Sequence, residues 1–319
     1  MNAGRTPMVV AVIGLGSMGY GIASSLLRSG FDVVGFDVSQ DALQRFAADG
    51  GRTATSPAAA SRDAQVVVSV VLNAAQTEAI LYGQDGCADA MSPGAVFVSS
   101  ATMAPDMARS LARRLEESGR YYLDAPISGG AVRAAEGGLT VLASGSTEAF
   151  ARARPVLDAI ASTVYELGDA PGTGAAFKIV NQLLAGVHIA AACEAIAFAA
   201  KQGLDLTRVY EVISASAGNS WMFENRIPHV LEGDYRPRSA VEIFTKDLGI
   251  VLDLARAEKF PVPMAGAALQ LFLMTAAAGM GRDDDASVAR IFARIADVEL
   301  PDRTSSPANQ TEPRAVTGG

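Results

Sequence analysis

Three glycines close to the amino terminus have the most specific chemical spacing in the chain. Gly14, Gly16 and Gly19 lie in the sequence GLGSMG, directly after the apolar run MVVAVI. In a strand-to-helix loop, the first glycine allows a tight turn, the second lets the backbone approach a pyrophosphate, and the third lets helix and strand pack closely. A purely structural glycine turn is the alternative, but a strand before the motif and a helix after it favour a dinucleotide-binding loop. The other predicted cofactor contacts of this loop are Leu15, Ser17 and Met18.

An acidic residue follows at the end of the second predicted strand. Asp37 closes the run FDVVGFD, about 20 residues beyond the glycines, where a carboxylate hydrogen-bonds the adenosine ribose hydroxyls. The next residues, Val38 and Ser39, supply no arginine for a 2′-phosphate, so the pattern favours NAD over NADP. Two alternatives stay open: Asp37 caps the helix that begins near Ser39, or Arg45 reaches the ribose and admits NADP.

A single lysine in an apolar helix is the candidate acid/base group. Lys178 stands in the run GAAFKIVNQ, where a charge is costly because its neighbours are apolar. A lysine whose pKa falls well below its ordinary value of about 10.4 can act as a general base. Asn181, three residues on, shares the same helical face and can hydrogen-bond the same ligand. The ordinary alternatives are a lysine that extends its ammonium to water and an asparagine that joins two helices.

A polar turn follows the predicted strand YYLDAP. Ser128, Gly129 and Gly130 come after Pro126, at the carboxyl end of a strand, which is where open α/β sheets bind ligands. The backbone N–H groups of the glycine pair and the Ser128 hydroxyl can hold a carboxylate. A plain turn accounts for the two glycines equally well.

These residues need a scaffold that brings strand ends and one helix together. MVVAVIGLG, FDVVGFD, QVVVSVVL and AVFVSS are typical of buried strands, YYLDAP, GLTVLASG and TVYELG add shorter ones, and helix patterns separate them. This alternation predicts an α/β fold with a Rossmann-type doubly wound sheet. An Ala-rich run over about residues 174–203 predicts a long helix that joins the sheet to an all-α carboxyl-terminal domain. We expect domains at residues 7–170 and 171–300, and a disordered tail over 301–319.

Composition narrows the classes of partner. The net charge of −8 opposes a nucleic-acid partner, because phosphate binding needs a basic face. Two cysteines, Cys87 and Cys193, and two histidines, His188 and His229, lack metal-ligand spacing, so we expect no metal site and two buried free thiols. We expect the apolar stretches to be too interrupted to span a bilayer, and the first residues lack a secretory pattern. A cytoplasmic protein without a membrane partner is therefore expected.

Four motifs occur in the order of a known family. GLGSMG near the start, DAPISGG at 124–130, GAAFKIVNQ at 174–182 and FTKDLG at 244–249 resemble the 3-hydroxyisobutyrate dehydrogenase (β-hydroxyacid dehydrogenase) family. The resemblance runs from about Met8 to about Val298. It implies a Rossmann domain, a long connecting helix and a helical domain that assembles into an intertwined homodimer or homotetramer. It also implies NAD(P)-linked oxidation of a small hydroxy acid.

The resemblance assigns roles to individual positions. The family's catalytic lysine matches Lys178, with the substrate carboxylate at the Ser128–Gly130 turn. Thr102 and the pair Leu72 and Asn73 match positions around the nicotinamide ribose, although each also suits a helix cap. Lys246 matches a position beside the cofactor, and a surface charge pair with Asp247 is its alternative.

Two positions depart from the family pattern or lie outside it. Many members have asparagine at both the third and fourth positions after the lysine, whereas this chain has Asn181 followed by Gln182. Trp221 lies among polar residues, which fits a wall over a polyhydroxylated substrate, although a tryptophan is more often part of the core.

The substrate prediction rests on one segment. GNSWMFENR at 218–226 and the following residues to FTKDLGIVLD are similar to the L-threonate dehydrogenase branch. L-threonate oxidised to its 2-oxo acid is therefore the first expectation. 3-Hydroxyisobutyrate oxidation and tartronate semialdehyde reduction are the near alternatives. An imine reductase or a non-catalytic relative is disfavoured, because relatives of those kinds lack the lysine found at position 178.

The role of Asp37 gives the first test. Because its carboxylate is expected to bind the ribose hydroxyls, Asp37→Ala should weaken NAD binding more than NADP binding. Fluorescence titration of both cofactors measures the two dissociation constants. An unchanged ratio of the two constants would contradict the ribose-binding role.

Overall fold

The computed structural model describes residues 7–303, so residues 304–319 of the predicted tail lie outside the described residues. Clustering of contacts divides the chain into two compact units. The first contains Met1–Leu184 and Lys246–Val262, and the second contains Ala185–Thr245 and Pro263–Gly319. The division between these compact units differs from the domain boundary predicted between residues 170 and 171. The predicted boundary therefore stays a prediction.

A six-stranded parallel sheet forms the centre of the first unit. Its strands are β1 (Val9–Ile13), β2 (Asp32–Phe36), β3 (Arg52–Thr53), β4 (Val66–Ser69), β5 (Val96–Ser99) and β6 (Tyr121–Asp124). Their order across the sheet is β3-β2-β1-β4-β5-β6, and every pair is parallel. Strand order reverses between β1 and β4, which is where such sheets bind ligands beyond their carboxyl ends. The predicted doubly wound α/β sheet is confirmed.

Helices cover both faces of this sheet. They are α1 (Ser17–Arg28), α2 (Gln40–Ala48), α3 (Pro57–Ser61), α4 (Ala74–Tyr82), α5 (Pro105–Glu116), α6 (Gly130–Glu136) and α7 (Thr147–Ile160). Successive residues of a strand point to opposite faces. Accordingly Val10 and Val12 lie in one buried cluster, and Ala11 and Ile13 lie in the other. This two-sided burial explains why the strands are continuous apolar runs.

A small second sheet carries the polar turn. Its strands are β7 (Ile127–Ser128), β8 (Leu139–Ala143) and β9 (Ala161–Glu166). Strand β7 pairs antiparallel with β8, and β8 pairs parallel with β9. The polar turn therefore follows a strand that is hydrogen-bonded into this sheet.

The rest of the described chain is helical. It contains α8 (Thr173–Lys201), α9 (Leu206–Ser214), α10 (Trp221–Leu231), α11 (Val241–Ala257), α12 (Pro263–Thr275), a π-helical turn (Ala276–Met280), a 3-10 turn (Asp285–Ser287) and α13 (Val288–Ala296). Helix α8 has 29 residues and agrees with the predicted long helix. Cys87 and Cys193 are buried and unpaired, as predicted.

Two helical segments contradict the expectation that no apolar stretch is long enough to span a bilayer. By length and composition alone, Thr173–Lys201 and Pro263–Met280 are long and apolar enough to cross a membrane. The expectation was wrong because an isolated glycine such as Gly186 does not interrupt a helix. Half of the tested window in the first segment is buried within the protein. Core helices meet the same criterion, so the absence of a membrane partner stays a prediction.

A buried carboxylate fixes the beginning of α8. Asp124, at the end of β6, is 1% exposed. Its Oδ2 accepts hydrogen bonds from the backbone N–H groups of Gly172, at 2.9 Å, and Ala175, at 2.8 Å. The Ser144 hydroxyl donates to the same oxygen and accepts from the Gly174 N–H. Burial raises the pKa of the Asp124 carboxyl to about 6, against the lowering effect of these donors.

Close packing at the same point excludes a side chain. A Cβ added to Gly174 would lie 2.3 Å from the Leu142 carbonyl oxygen. The first turn of α8 is therefore held directly against the strand backbones, and everything on that turn is placed by the sheet.

Removing the carboxylate should loosen this turn. Asp124→Ala leaves two backbone donors without their partner, so we expect a loss of about 1–3 kcal/mol of unfolding free energy. Urea unfolding measures the loss, and hydrogen exchange should become faster in the first turn of α8. Ser146→Ala is the control, because the Ser146 hydroxyl caps α7 in the same way. It should loosen α7 alone. Unchanged exchange at the start of α8 in Asp124→Ala would refute the anchoring role.

Candidate active site

The glycine loop has the shape that a dinucleotide needs. Gly14 has φ of +94°, and a Cβ there would lie 2.3 Å from the Val70 carbonyl oxygen. A Cβ on Gly19 would lie 1.8 Å from the Gly14 carbonyl oxygen. Gly16 differs, because nothing lies within 4 Å of its Cβ position, and no side chain caps the amino end of α1 there. The loop thus leaves open space over free N–H groups, which fits a pyrophosphate.

The other loop residues contribute in different ways. Leu15 is fully buried in the core, so only its backbone lies at the loop surface. Met18 also packs against the core. Ser17 is exposed at the start of α1. Of these three predicted contacts, only Ser17 presents a polar side chain.

Asp37 links the second strand to the glycine loop. Its Oδ2 accepts from the Leu15 N–H at 2.6 Å, and its Oδ1 accepts from the Ser39 N–H at 2.8 Å. The cap of α2 is Ser39 itself, whose hydroxyl accepts from the Ala42 N–H. Ser39, in contrast to Asp37, is therefore the residue that caps α2, and the Asp37 carboxylate lies at the glycine loop.

Arg45 is engaged by an aromatic ring. Its guanidinium lies 3.9 Å from the centre of the Tyr20 ring, and the Tyr20 hydroxyl donates to Asp49. This cation–π contact gives the guanidinium a partner within the protein. The geometry favours a cofactor without a 2′-phosphate.

Three further predicted contacts lie at the same edge of the sheet. Leu72 and Asn73 follow β4, and Thr102 follows β5, at the carboxyl ends of parallel strands. Asn73 caps α4 through its Oδ1, which accepts from the Gln76 N–H at 2.9 Å. The Leu72 N–H donates to the Gln76 side chain. The cap alternative thus holds for Asn73, while Thr102 is half-buried.

Lys178 and the polar turn come together. Lys178 is 8% exposed, and its Nζ donates to the Ile127 carbonyl oxygen at 2.9 Å. The lysine therefore does not extend to bulk water. Burial lowers the pKa of the Lys178 ammonium to about 8; Asp247 opposes this shift and Lys246 adds to it.

The residues after Ile127 form a turn beside this amine. Gly129 has φ of +133° and Gly130 has φ of +80°, in the region that favours glycine. Nothing lies within 4 Å of a Cβ on Gly130, and Ser128 is half-buried. The structure is compatible with both sequence interpretations, a plain turn and a carboxylate-binding turn. The turn requires glycine and also leaves space for a ligand.

A buried polar cluster joins the helical turn after Lys178 in α8 to α11. Asp247 is 1% exposed and pairs with the Lys246 ammonium at 2.5 Å. Gln182 donates through Nε2 to Asp247 at 2.5 Å, and Asn181 donates through Nδ2 to Gln182 at 2.9 Å. The Lys246–Asp247 pair is thus anchored in the interior, in contrast to a surface pair.

Sequence reasoning missed Asp124 and Asp247 as site residues. Both lie within motifs already recognised, DAPISGG and FTKDLG. Their signal was an acidic residue inside an otherwise apolar or glycine-rich motif, since such an acid is seldom buried without partners. Their contacts join positions about 50 and 65 residues apart, which spacing alone does not reveal.

Trp221 belongs to the second unit. It is the first residue of α10, which Ser220 caps by accepting from the Phe223 N–H at 3.0 Å. The tryptophan is 46% exposed, so it is not a core residue. Among the described residues, no group of three or more His, Cys, Asp or Glu side chains could hold a metal ion.

Comparison with known families matches nearly the whole described chain. Residues 9–168 match a family described as the NAD binding domain of 6-phosphogluconate dehydrogenase. Residues 172–292 match a family described as NAD-binding of NADP-dependent 3-hydroxyisobutyrate dehydrogenase. The cofactor domain and the helical domain predicted from sequence therefore both have family counterparts.

Individual relatives are also similar over nearly their full length. An L-threonate dehydrogenase from Cupriavidus necator is 55% identical over 292 residues, which are 92% of this chain and 97% of the relative. The L-threonate dehydrogenase of Escherichia coli K12 is 47% identical over 289 residues, 90% of this chain and 95% of that one.

Solved structures agree. A crystal structure of a 3-hydroxyisobutyrate dehydrogenase from Salmonella typhimurium has a TM-score of 0.86 at 48% identity and covers 89% of this chain and 99% of that one. An imine reductase from Pseudomonas sp., at 22% identity and a TM-score of 0.62, shares the fold. The chain belongs to the 3-hydroxyisobutyrate dehydrogenase (β-hydroxyacid dehydrogenase) family of NAD-binding oxidoreductases.

Proposed function

We propose that this chain oxidises L-threonate to 2-dehydro-L-erythronate with NAD. The observation that carries the proposal is the buried amine of Lys178, held at 2.9 Å from the Ile127 carbonyl next to an open glycine turn. The two L-threonate dehydrogenases at 55% and 47% identity support this substrate. 3-Hydroxyisobutyrate oxidation and tartronate semialdehyde reduction are the alternatives within the family.

Lys178 acts as the base. Its amine, neutral above a pKa of about 8, accepts the proton of the substrate hydroxyl as the C–H bond breaks. When bound, NAD supplies the hydride acceptor. In the reverse direction, the Lys178 ammonium donates a proton to the carbonyl oxygen. The Ile127 carbonyl oxygen orients the amine by accepting a hydrogen bond from it.

The polar turn holds the substrate carboxylate. Ser128, Gly129 and Gly130 provide a hydroxyl and backbone N–H groups next to Ile127, whose carbonyl already contacts Lys178. Asn181 binds a second polar group of the substrate, because it lies one helical turn from the lysine.

Cofactor contacts follow the carboxyl edge of the sheet. The GLGSMG loop binds the pyrophosphate, and Asp37 binds the adenosine ribose. Leu72, Asn73 and Thr102 lie around the nicotinamide ribose, and Lys246 lies beside the cofactor. Because Arg45 stacks on Tyr20, NAD is favoured over NADP.

The protein works as a homodimer or homotetramer in the cytoplasm. Phe177, Val180 and Leu184 are each at least half exposed on one stripe of α8, and exposed apolar stripes of this kind mark interfaces between proteins. Light scattering after size-exclusion chromatography measures the subunit number. A monomer at working concentration would contradict this part of the proposal.

The pH dependence of oxidation tests the base. Since only the neutral amine accepts a proton, kcat/KM for oxidation should rise as pH increases through about 8. Reduction of the oxo acid should show the opposite trend. Steady-state rates over a pH series measure both. A rate of oxidation that falls as pH rises through this range would contradict the assignment.

Substitution of the lysine tests catalysis directly. Lys178→Ala should lower turnover by roughly 10²–10⁴, the range for loss of a general base, while NAD affinity stays nearly intact. Lys201→Ala is the matched control, because Lys201 lies in the last turn of the same helix and contacts only the Ala296 carbonyl among its hydrogen-bond partners. It should keep full activity. An equal loss of NAD binding in Lys178→Ala would indicate a damaged fold or cofactor site.

A substrate panel tests the specific activity. NADH production with L-threonate, 3-hydroxyisobutyrate and other three- and four-carbon hydroxy acids should show the highest kcat/KM for L-threonate. If L-threonate is not oxidised while another of these acids is, the family assignment stands and the proposed substrate fails.

A further inference from the structure

Three polar side chains beside Lys178 form a continuous chain of hydrogen bonds. Asp247 accepts from Gln182 Nε2 at 2.5 Å, and Gln182 Oε1 accepts from Asn181 Nδ2 at 2.9 Å. Asp247 and Gln182 are 1% and 7% exposed, whereas Asn181 is half-buried. The chain therefore runs from the interior to Asn181, its most exposed member.

The charge at the buried end sets the direction of every bond in this chain. Asp247 is paired with the Lys246 ammonium, and an ionised carboxylate only accepts hydrogen bonds. Gln182 must therefore turn its NH₂ group towards Asp247, which leaves its carbonyl oxygen for Asn181. Asn181 in turn must use its NH₂ group towards Gln182. The carbonyl oxygen of Asn181 is consequently left as an acceptor for another partner.

We propose that Asp247 and Gln182 are positioning residues that make Asn181 present a carbonyl oxygen to a substrate hydroxyl next to the reacting carbon. The site thereby selects vicinal polyhydroxy acids over acids with a single hydroxyl. This inference rests on the proposed function, since it names what the same site recognises.

Side-chain length explains why glutamine is needed at position 182. Asparagine is shorter by one methylene, roughly 1.5 Å, so an asparagine there would not reach Asp247 from the same backbone position. The amide of Asn181 would then be free to rotate and would lose its fixed acceptor. The departure from the family's paired asparagines thus has a consequence for selectivity.

The experiment compares two substrates that differ by one hydroxyl. The ratio of kcat/KM for L-threonate to that for its 3-deoxy analogue, 2,4-dihydroxybutanoate of matching configuration at C2, isolates the vicinal hydroxyl. In the unmodified protein we expect a ratio of about ten or more, equivalent to one hydrogen bond. Gln182→Asn should bring the ratio down towards one, through a loss confined to L-threonate. An unchanged ratio in Gln182→Asn would overturn the proposal.

A second experiment reverses the direction of the hydrogen bonds between Asp247, Gln182 and Asn181 and tests whether the L-threonate preference returns. Asn181→Asp alone sets two acceptors against each other and should lower kcat/KM for L-threonate. Combined with Asp247→Asn, it moves the carboxylate to the other end, so Gln182 can turn over and every bond is restored in the opposite direction. The double variant should recover the L-threonate preference several-fold over Asn181→Asp. Strictly additive losses would contradict a coupled chain.

These experiments distinguish a misfolded variant from a failure of the proposed function and from a failure of this inference. Thermal denaturation and NAD titration check that each variant is folded; should Gln182→Asn fail to fold, Gln182→Met takes its place with the same expected fall in the ratio, because methionine keeps the side-chain length but has no amide to join Asp247 to Asn181. If the unmodified protein does not oxidise L-threonate, the proposed function has failed. If it oxidises L-threonate with a ratio that no variant changes, this inference alone has failed.

Discussion

A primary amine held out of water is the constraint on which the site depends. Burying an ammonium is costly unless it is paired, and the protein lowers that cost by letting Lys178 donate to the Ile127 carbonyl and lie near Asp247. The remaining penalty lowers the pKa to about 8, close to the pH at which a base is effective. In the role proposed for Lys178, the stability given up at this position is the source of its basicity.

Such an amine is useful only if its helix cannot shift. The sheet supplies the restraint: Asp124 binds the first N–H groups of α8, and Gly174 lets the helix backbone press against Leu142. The anchor is itself a buried acid whose pKa is raised, so two ionisable groups at one helix end are both held at some cost. Functional sites commonly carry such costs, which the surrounding core must outweigh.

Sequence predicted the features that depend on local spacing. The glycine loop, the alternating strands and the Lys178 helix follow from patterns of a few residues, and the structure has each of them. It did not predict Asp124 or the Asp247–Gln182 contact, because these join distant segments. Nor did it show that Leu15 turns its side chain inward. The expectation that no apolar stretch could span a bilayer failed for a different reason, because a glycine that interrupts an apolar pattern does not interrupt a helix.

Local charge resolves an apparent conflict between an acidic protein and an acidic substrate. The net charge is −8, yet Lys178 and Lys246 share a single buried carboxylate, that of Asp247. Surface charges act across about 8–10 Å at physiological salt, so distant acids are screened from the site. In the proposed mechanism, a substrate carboxylate therefore meets an excess of positive charge when Lys178 is protonated. Binding of the anion and neutrality of the proposed base oppose each other, and a pKa of about 8 is a compromise between the two.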